Sequence, residues 1–280
     1  MTKIKIGDRI FDWGSKTYLM GVINVTPDSF SDGGQFYELT DALTQAEYAI
    51  EAGADILDIG GQSTRPGARE VSLEEELNRV LPIIKSIRQK YSVPISIDTT
   101  KAEVAKAAVA AGADIVNDVS GATFDLEMLP AVAQLGVPIV LMHLRGTPQT
   151  MQKMTDYQDL IGEIYQFLES RIAAAETAGI HRDKIIIDPG IGFAKNYRQN
   201  LDILRQLAKF SAHQCPILVG VSRKSFIGHI LNQPEPKQRI WGTGAACCAA
   251  ISFGADILRV HDIKEMADIC RVADAIYREK

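Results

Sequence analysis

The chain has 280 residues, of which 46% are apolar, and a net charge of −5. That length suits one large globular domain, and the apolar share is ordinary for such a chain. The acidic balance excludes a global basic footprint for nucleic acid, though not a local cationic pocket. No stretch reaches the roughly 18 apolar residues of a membrane span, and MTKIKIGDRIFDW lacks the apolar region of a secretory signal. The expectation is therefore a cytoplasmic protein with neither a membrane nor a nucleic-acid partner.

In chain order, residues 3–18 alternate weakly around Gly7-Asp8 and Gly14-Ser15 and predict a short N-terminal β-hairpin, placed as the cap of a barrel floor. Eight strands are then expected near 19–24, 55–60, 94–98, 114–118, 138–143, 184–188, 216–222 and 255–260, with helical stretches between them. Three phrases repeat: EAGADILDIGG (51–61), AAGADIVNDVSG (110–121) and SFGADILRVHD (252–262). Each places a glycine after an Ala-rich helical run, where a left-handed residue closes a helix. The apolar run that follows is continuous, as in a parallel strand covered on both faces. Ser72 with Glu75 and Thr100 with Glu103 read as capping boxes. Amphipathic patterns occupy 157–178, 199–213 and 262–278.

Strict strand–helix alternation through eight units predicts an α/β fold, a single (β/α)₈ TIM-barrel domain over 1–280. An open doubly wound sheet is the alternative, but no dinucleotide-type glycine fingerprint follows any strand. Cys215, Cys247, Cys248 and Cys270 have no metal-ligand spacing. Cys247 and Cys248 lie in an Ala-rich helical run and suit small buried thiols rather than a disulfide.

Almost every strand ends in a residue that is costly to bury: Asn24, Asp98, Asn117 with Asp118, His143, Asp188, then Ser222-Arg223-Lys224, and Arg259 with His261. Any one of these could merely cap a helix. As a set, on the rim where barrel enzymes place their sites, they point to a ligand pocket. Arg259 and His261, one residue apart on an extended chain, point to one side and suit an anion. Two polar loops, NVTPDSFSDGG (24–34) and GGQSTRPGA (60–68), overhang the same rim as candidate lids.

The strings NVTPDSFSDGG, GGQSTRPGA, IDTTK (97–101), ND (117–118), LMHLRGTPQTM (141–151), DPGIGFAK (188–195), SRKS (222–225) and RVH (259–261) together resemble dihydropteroate synthase, in order over nearly the whole chain. The resemblance implies a homodimeric transferase of folate biosynthesis. It would join 6-hydroxymethyl-7,8-dihydropterin diphosphate to 4-aminobenzoate with loss of diphosphate. On that reading Asp98, Asn117 and Asp188 hydrogen-bond the pterin edge, Lys224 donates to it, and Met142, Phe193 and Leu218 are candidate walls. Thr64, Ser222, Arg259 and His261 hold the diphosphate. Asn24 resembles the position that holds Mg²⁺. Arg65 serves either the departing phosphate or the incoming ring. Phe30, Pro66 and Ser225 take the aminobenzoate, and Asp32 stabilises the cation left as diphosphate departs. Lys224, Arg65 and Asp32 are the catalytic set.

No protein nucleophile is needed, and Ser222 has no evident partner base. Gln62 departs from the pattern, which has an acidic residue there, and raises the alternative of a catalytically impaired pterin-binding paralogue. A pterin-binding methyltransferase domain is the other rival, disfavoured by the TPDSFSDGG and STRPG loops and by the cationic SRK and RVH sites.

Overall fold

A computed structural model describes residues 3–25, 35–65 and 67–278, the side chains of 35–38 aside. It opens with the antiparallel hairpin β1 (Lys3–Ile6) and β2 (Arg9–Asp12). Then come β3 (Tyr18–Asn24), α1 (Gln35–Glu51), β4 (Ile56–Gly60), α2 (Leu73–Lys90), β5 (Ile95–Asp98) and α3 (Ala102–Ala111). The chain continues through β6 (Ile115–Asp118), α4 (Met128–Leu135), β7 (Ile139–Met142), α5 (Leu160–Thr177), β8 (Ile185–Asp188) and α6 (Tyr197–Arg205). It ends with β9 (Leu218–Val219), α7 (Ser225–Leu231), α8 (Ile240–Ser252), β10 (Ile257–Val260) and α9 (Ile263–Tyr277).

The last eight strands form one parallel sheet in the order β8-β7-β6-β5-β4-β3-β10-β9. A parallel bridge between Ile187 and Ile217 joins its two edges and closes it into the expected barrel rather than an open sheet.

Strand alternation divides the core in two. Outward residues such as Leu19, Ile59, Ile97, Leu141, Val219 and Val260 pack against the helices in one cluster. Inward residues at the strand starts (Met20, Ile56, Ile115, Val140, Ile186, Leu218 and Ile257) pack instead against Ile4, Ile6, Phe11, Trp13 and Tyr18. The hairpin is therefore the floor of the barrel, as its position in the chain suggested. Leu218 belongs to this floor and is core, not a wall of the pocket.

The glycines of the three repeats all have positive φ: Gly53 (+103°), Gly112 (+118°) and Gly254 (+96°). The aspartate two residues later does something the sequence does not announce. Asp55 accepts from Leu19 N (2.9 Å), Asp114 from Ile95 N (2.9 Å) and Asp256 from Ile217 N (3.0 Å). Each carboxylate thus satisfies a backbone donor at the bottom of the neighbouring strand.

Ser72 caps α2 by accepting from Glu75 N, but the Thr100–Glu103 box is not formed. Lys101 is the N-cap of α3, and the Ala102 N–H donates to Asp125 from the next loop (2.8 Å). The carboxylate of Asp125, not the Thr100 hydroxyl, therefore serves the start of this helix. A full capping box forms instead at Asn196 and Gln199, at the start of α6.

Candidate active site

One step up each strand from the floor layer, the inward positions become Val22, Asp58, Asp98, Asn117, Met142, Asp188, Gly220 and Arg259. An apolar floor therefore carries a polar storey above it, set by alternation alone. The next inward step reaches Asn24, Ser222 and His261 at the mouth.

Arg259 organises the polar storey. Its Nε donates to Asp58 Oδ2 (2.6 Å) and its Nη2 to Asp98 Oδ2 (2.7 Å), while Asn117 Nδ2 donates to the same Asp58 oxygen (3.1 Å). Asp58 Oδ1 is buried and has no hydrogen-bond partner among the described residues. Burial raises the Asp98 carboxyl above the usual range, and Arg259 opposes that rise. Asp188 accepts from Gly190 N (2.7 Å) and is pushed up to about 6 by burial, against the pull of that hydrogen bond and of Lys224. Lys224 is pushed down to about 8 by burial and by Arg259, with its ammonium 4.2 Å from the Phe193 ring centre. Phe193 in turn packs on Met142 and its neighbours. Two carboxylates, an amide, an ammonium and an aromatic ring thus gather at one end of the barrel strands, a donor and acceptor set suited to a flat heterocycle with an amidine-like edge.

The mouth is cationic. His261 Nδ1 lies 3.0 Å from Ser222 Oγ, and the His261 N–H also donates to that oxygen (3.2 Å). Burial, then Arg223, Arg259, Arg65 and Lys224, depress His261 to about 3. Four positive charges thus converge on one imidazole. Only Arg223, paired with Asp262, and Arg259 have carboxylates at hydrogen-bonding distance among the described residues. Such a field favours an anion. Thr64 is half-buried, and Arg65 and Ser225 are exposed at the rim. Asn24 is half-buried at the end of β3. Phe30, Asp32 and Pro66 lie outside the described residues.

A pterin-binding enzyme model matches residues 20–261. The chain belongs to the dihydropteroate synthases. It is 59% identical over 275 residues to the dihydropteroate synthase of a Synechocystis strain, covering 98% of this chain and 95% of that one. A Clostridium difficile dihydropteroate synthase solved in the presence of pteroic acid superposes with a TM-score of 0.91 at 44% identity, covering 96% of this chain and all of that one. The Xanthomonas albilineans enzyme solved with 4-aminobenzoic acid gives 0.92 at 43%, covering 98% and 97%.

Within this synthase, three readings of the sequence need correction. Asp118 and His143 close their strands but point away from the barrel axis, because each follows an inward residue. Asp118 accepts from Ser120 N (2.8 Å) and Oγ (2.6 Å) and shapes its own loop. His143 meets the Phe167 ring and Lys195 Nζ (2.9 Å). Ser222, read as lacking a partner base, has His261 beside it, because β9 and β10 are neighbours with matching alternation. No carboxylate bonds that imidazole among the described residues, and its depressed pKa makes it a weak base.

Two site residues escaped the sequence reading. Asp58 sat inside an apolar run, and only its inward register reveals it. Lys195 is nearly buried behind the DPGIG turn and donates to Phe193 O (2.8 Å), fixing the carbonyl of the aromatic wall. Gly190 in that turn has φ +71°, and a Cβ there would collide with the His143 carbonyl oxygen.

Proposed function

We propose that this chain condenses 6-hydroxymethyl-7,8-dihydropterin diphosphate with 4-aminobenzoate, giving 7,8-dihydropteroate and diphosphate in folate biosynthesis. The observation that carries this is the stacking of a polar heterocycle pocket beneath a cationic mouth on one barrel axis. Solved relatives bound to pteroic acid and to 4-aminobenzoic acid support it.

On this reading Asp98, Asn117 and Asp188 hydrogen-bond the pterin edge. Lys224 donates to its carbonyl or ring nitrogen, and Phe193 and Met142 cover its faces. Arg259, His261, Ser222 and Thr64 orient the diphosphate and hold the charge that grows as the C–O bond breaks. The departing diphosphate leaves a carbon whose positive charge spreads into the ring, so no base is needed to start the reaction. Arg65, at the rim, meets the departing diphosphate or the incoming aminobenzoate ring. Asp32 stabilises the ring cation, while Phe30, Pro66 and Ser225 receive the aminobenzoate, whose amine then attacks and loses its proton.

For Mg²⁺, Asn24 is the candidate protein ligand. Its side chain makes no hydrogen bond among the described residues, and no cluster of three His, Cys, Asp or Glu able to hold a metal occurs there. A single neutral oxygen fits a Mg²⁺ that completes its shell with phosphate oxygens and water, and the ion would neutralise diphosphate charge.

A homodimer is part of the same proposal. Trp241 is 79% exposed, with Val272 at 62% and Ile276 at 66% on the outer surface of α8 and α9. Four free cysteines fit the reducing cytoplasm.

The test is incubation with the pterin diphosphate, with and without 4-aminobenzoate, following diphosphate release and dihydropteroate by chromatography. Release that depends on aminobenzoate and matches product is expected. Pterin binding with no product would favour the impaired paralogue.

A further inference from the structure

The loop after β4 carries Thr64 and Arg65 over the pocket, yet its flanks are tied down. Arg79 donates to Gly61 O (2.7 Å), and Lys101 Nζ donates to Gln62 Oε1 (2.8 Å). Beyond the tip, Gly67 N donates to Pro148 O (3.0 Å) and Gln149 Nε2 to Ala68 O (2.9 Å). A loop expected to swing on its glycines is thus a short span between two moorings.

The Gln62 mooring is the informative one. Lys101 also donates to Glu76 Oε2 (2.5 Å), and that carboxylate is only 1% exposed. The other Glu76 oxygen accepts from Thr99 Oγ1 (2.7 Å). Thr99 follows Asp98 and donates its backbone N–H to Asn117 O (3.1 Å). A carboxylate so deeply buried must keep its cation, so Lys101 has little freedom to move. It spends a remaining donor on the neutral amide of Gln62. The chain of contacts runs from the pterin-facing strand ends, through Glu76 and Lys101, to the start of the loop that carries Arg65.

We propose that Gln62 is a positioning residue: held by Lys101, it fixes where Arg65 stands at the rim, on the side from which the second substrate enters, and so governs use of that substrate without touching either one. The inference rests on the two-substrate reaction proposed above. Gln62→Leu removes the acceptor at nearly constant volume while leaving the Lys101–Glu76–Thr99 contacts intact. Gln62→Glu keeps an acceptor for Lys101 and is the rescue variant.

Three quantities separate positioning from mere structure: kcat/KM for 4-aminobenzoate, calorimetric Kd for the pterin diphosphate, and the urea midpoint. Gln62→Leu should lower kcat/KM for aminobenzoate about tenfold, equivalent to about 1.4 kcal/mol, and leave pterin Kd within about twofold. The urea midpoint should not move, and Gln62→Glu should restore turnover. Unchanged kcat/KM in Gln62→Leu would overturn the proposal. So would an equal loss for both substrates with a lower midpoint. If wild-type protein itself forms no product, the reaction assignment fails instead.

Discussion

At the scale of single residues, the site works by pairing groups whose burial drives both toward neutrality. Asp188 is raised to about 6 and Lys224 lowered to about 8, so both are charged together only between those values. Below the lower limit Asp188 carries a proton and loses an acceptor; above the upper one Lys224 has lost its charge. Because Asp98, the other carboxylate acceptor, is raised to about 7, pterin affinity should peak between about pH 7 and 8 and fall on either side. Calorimetry across that range is the check, and Lys224→Arg should erase the alkaline limb, because a guanidinium does not titrate there. Arg259 and His261, alike in the sequence, should behave differently. His261→Ala should weaken the diphosphate ester more than the bare pterin alcohol and leave stability alone. Arg259→Ala strands the fully buried Asp58 and should cost about 3–5 kcal/mol of stability besides. Urea unfolding of the two variants distinguishes them, and equal stabilities would contradict the Arg259–Asp58 pairing. The strand-end residues were legible because polar atoms interrupt apolar runs. Asp58 was not, since its role depends on which way its strand faces and on Arg259, 201 positions away.

Elements were read more readily than their joints. Eight strands, the hairpin and the glycine stops follow from period and turn chemistry, which act over a few residues. What the GAD aspartates do could not be read, because their partners lie on the neighbouring strand and exist only once strand order is known. Asp114 binds both Ile95 N and Arg88, the latter at 2.5 Å. Asp114→Ala should destabilise the protein by roughly 1–3 kcal/mol in chemical denaturation while leaving pterin affinity at the wild-type value. A loss of affinity would mean that the lower barrel communicates with the mouth. Thr100 teaches the same lesson from the other side. Its local pattern was sound, but Asp125, carried in by the next unit, already accepts from the helix it would have capped.

Taken whole, the molecule sets an apolar floor at one end of the barrel axis and its polar strand ends at the other. Phe11, Trp13 and Tyr18 pack with tilted rings at the floor, with centroids 4.6 Å apart for Phe11 and Tyr18 and 5.4 Å for Phe11 and Trp13. Phe11→Ala should cost about 3–5 kcal/mol in urea unfolding and spare ligand binding at the far end. The two ends of the described chain share that floor. The hairpin begins there at Lys3, and Arg278 donates to Ala255 O and to Thr17 Oγ1 beside the first barrel strand. Whatever is joined to either end, whether an affinity tag, a surface anchor or a second polypeptide, leaves the barrel on the floor side, away from the polar strand ends. The synthase can be tethered by its tail, or by its head, with its doorway still open.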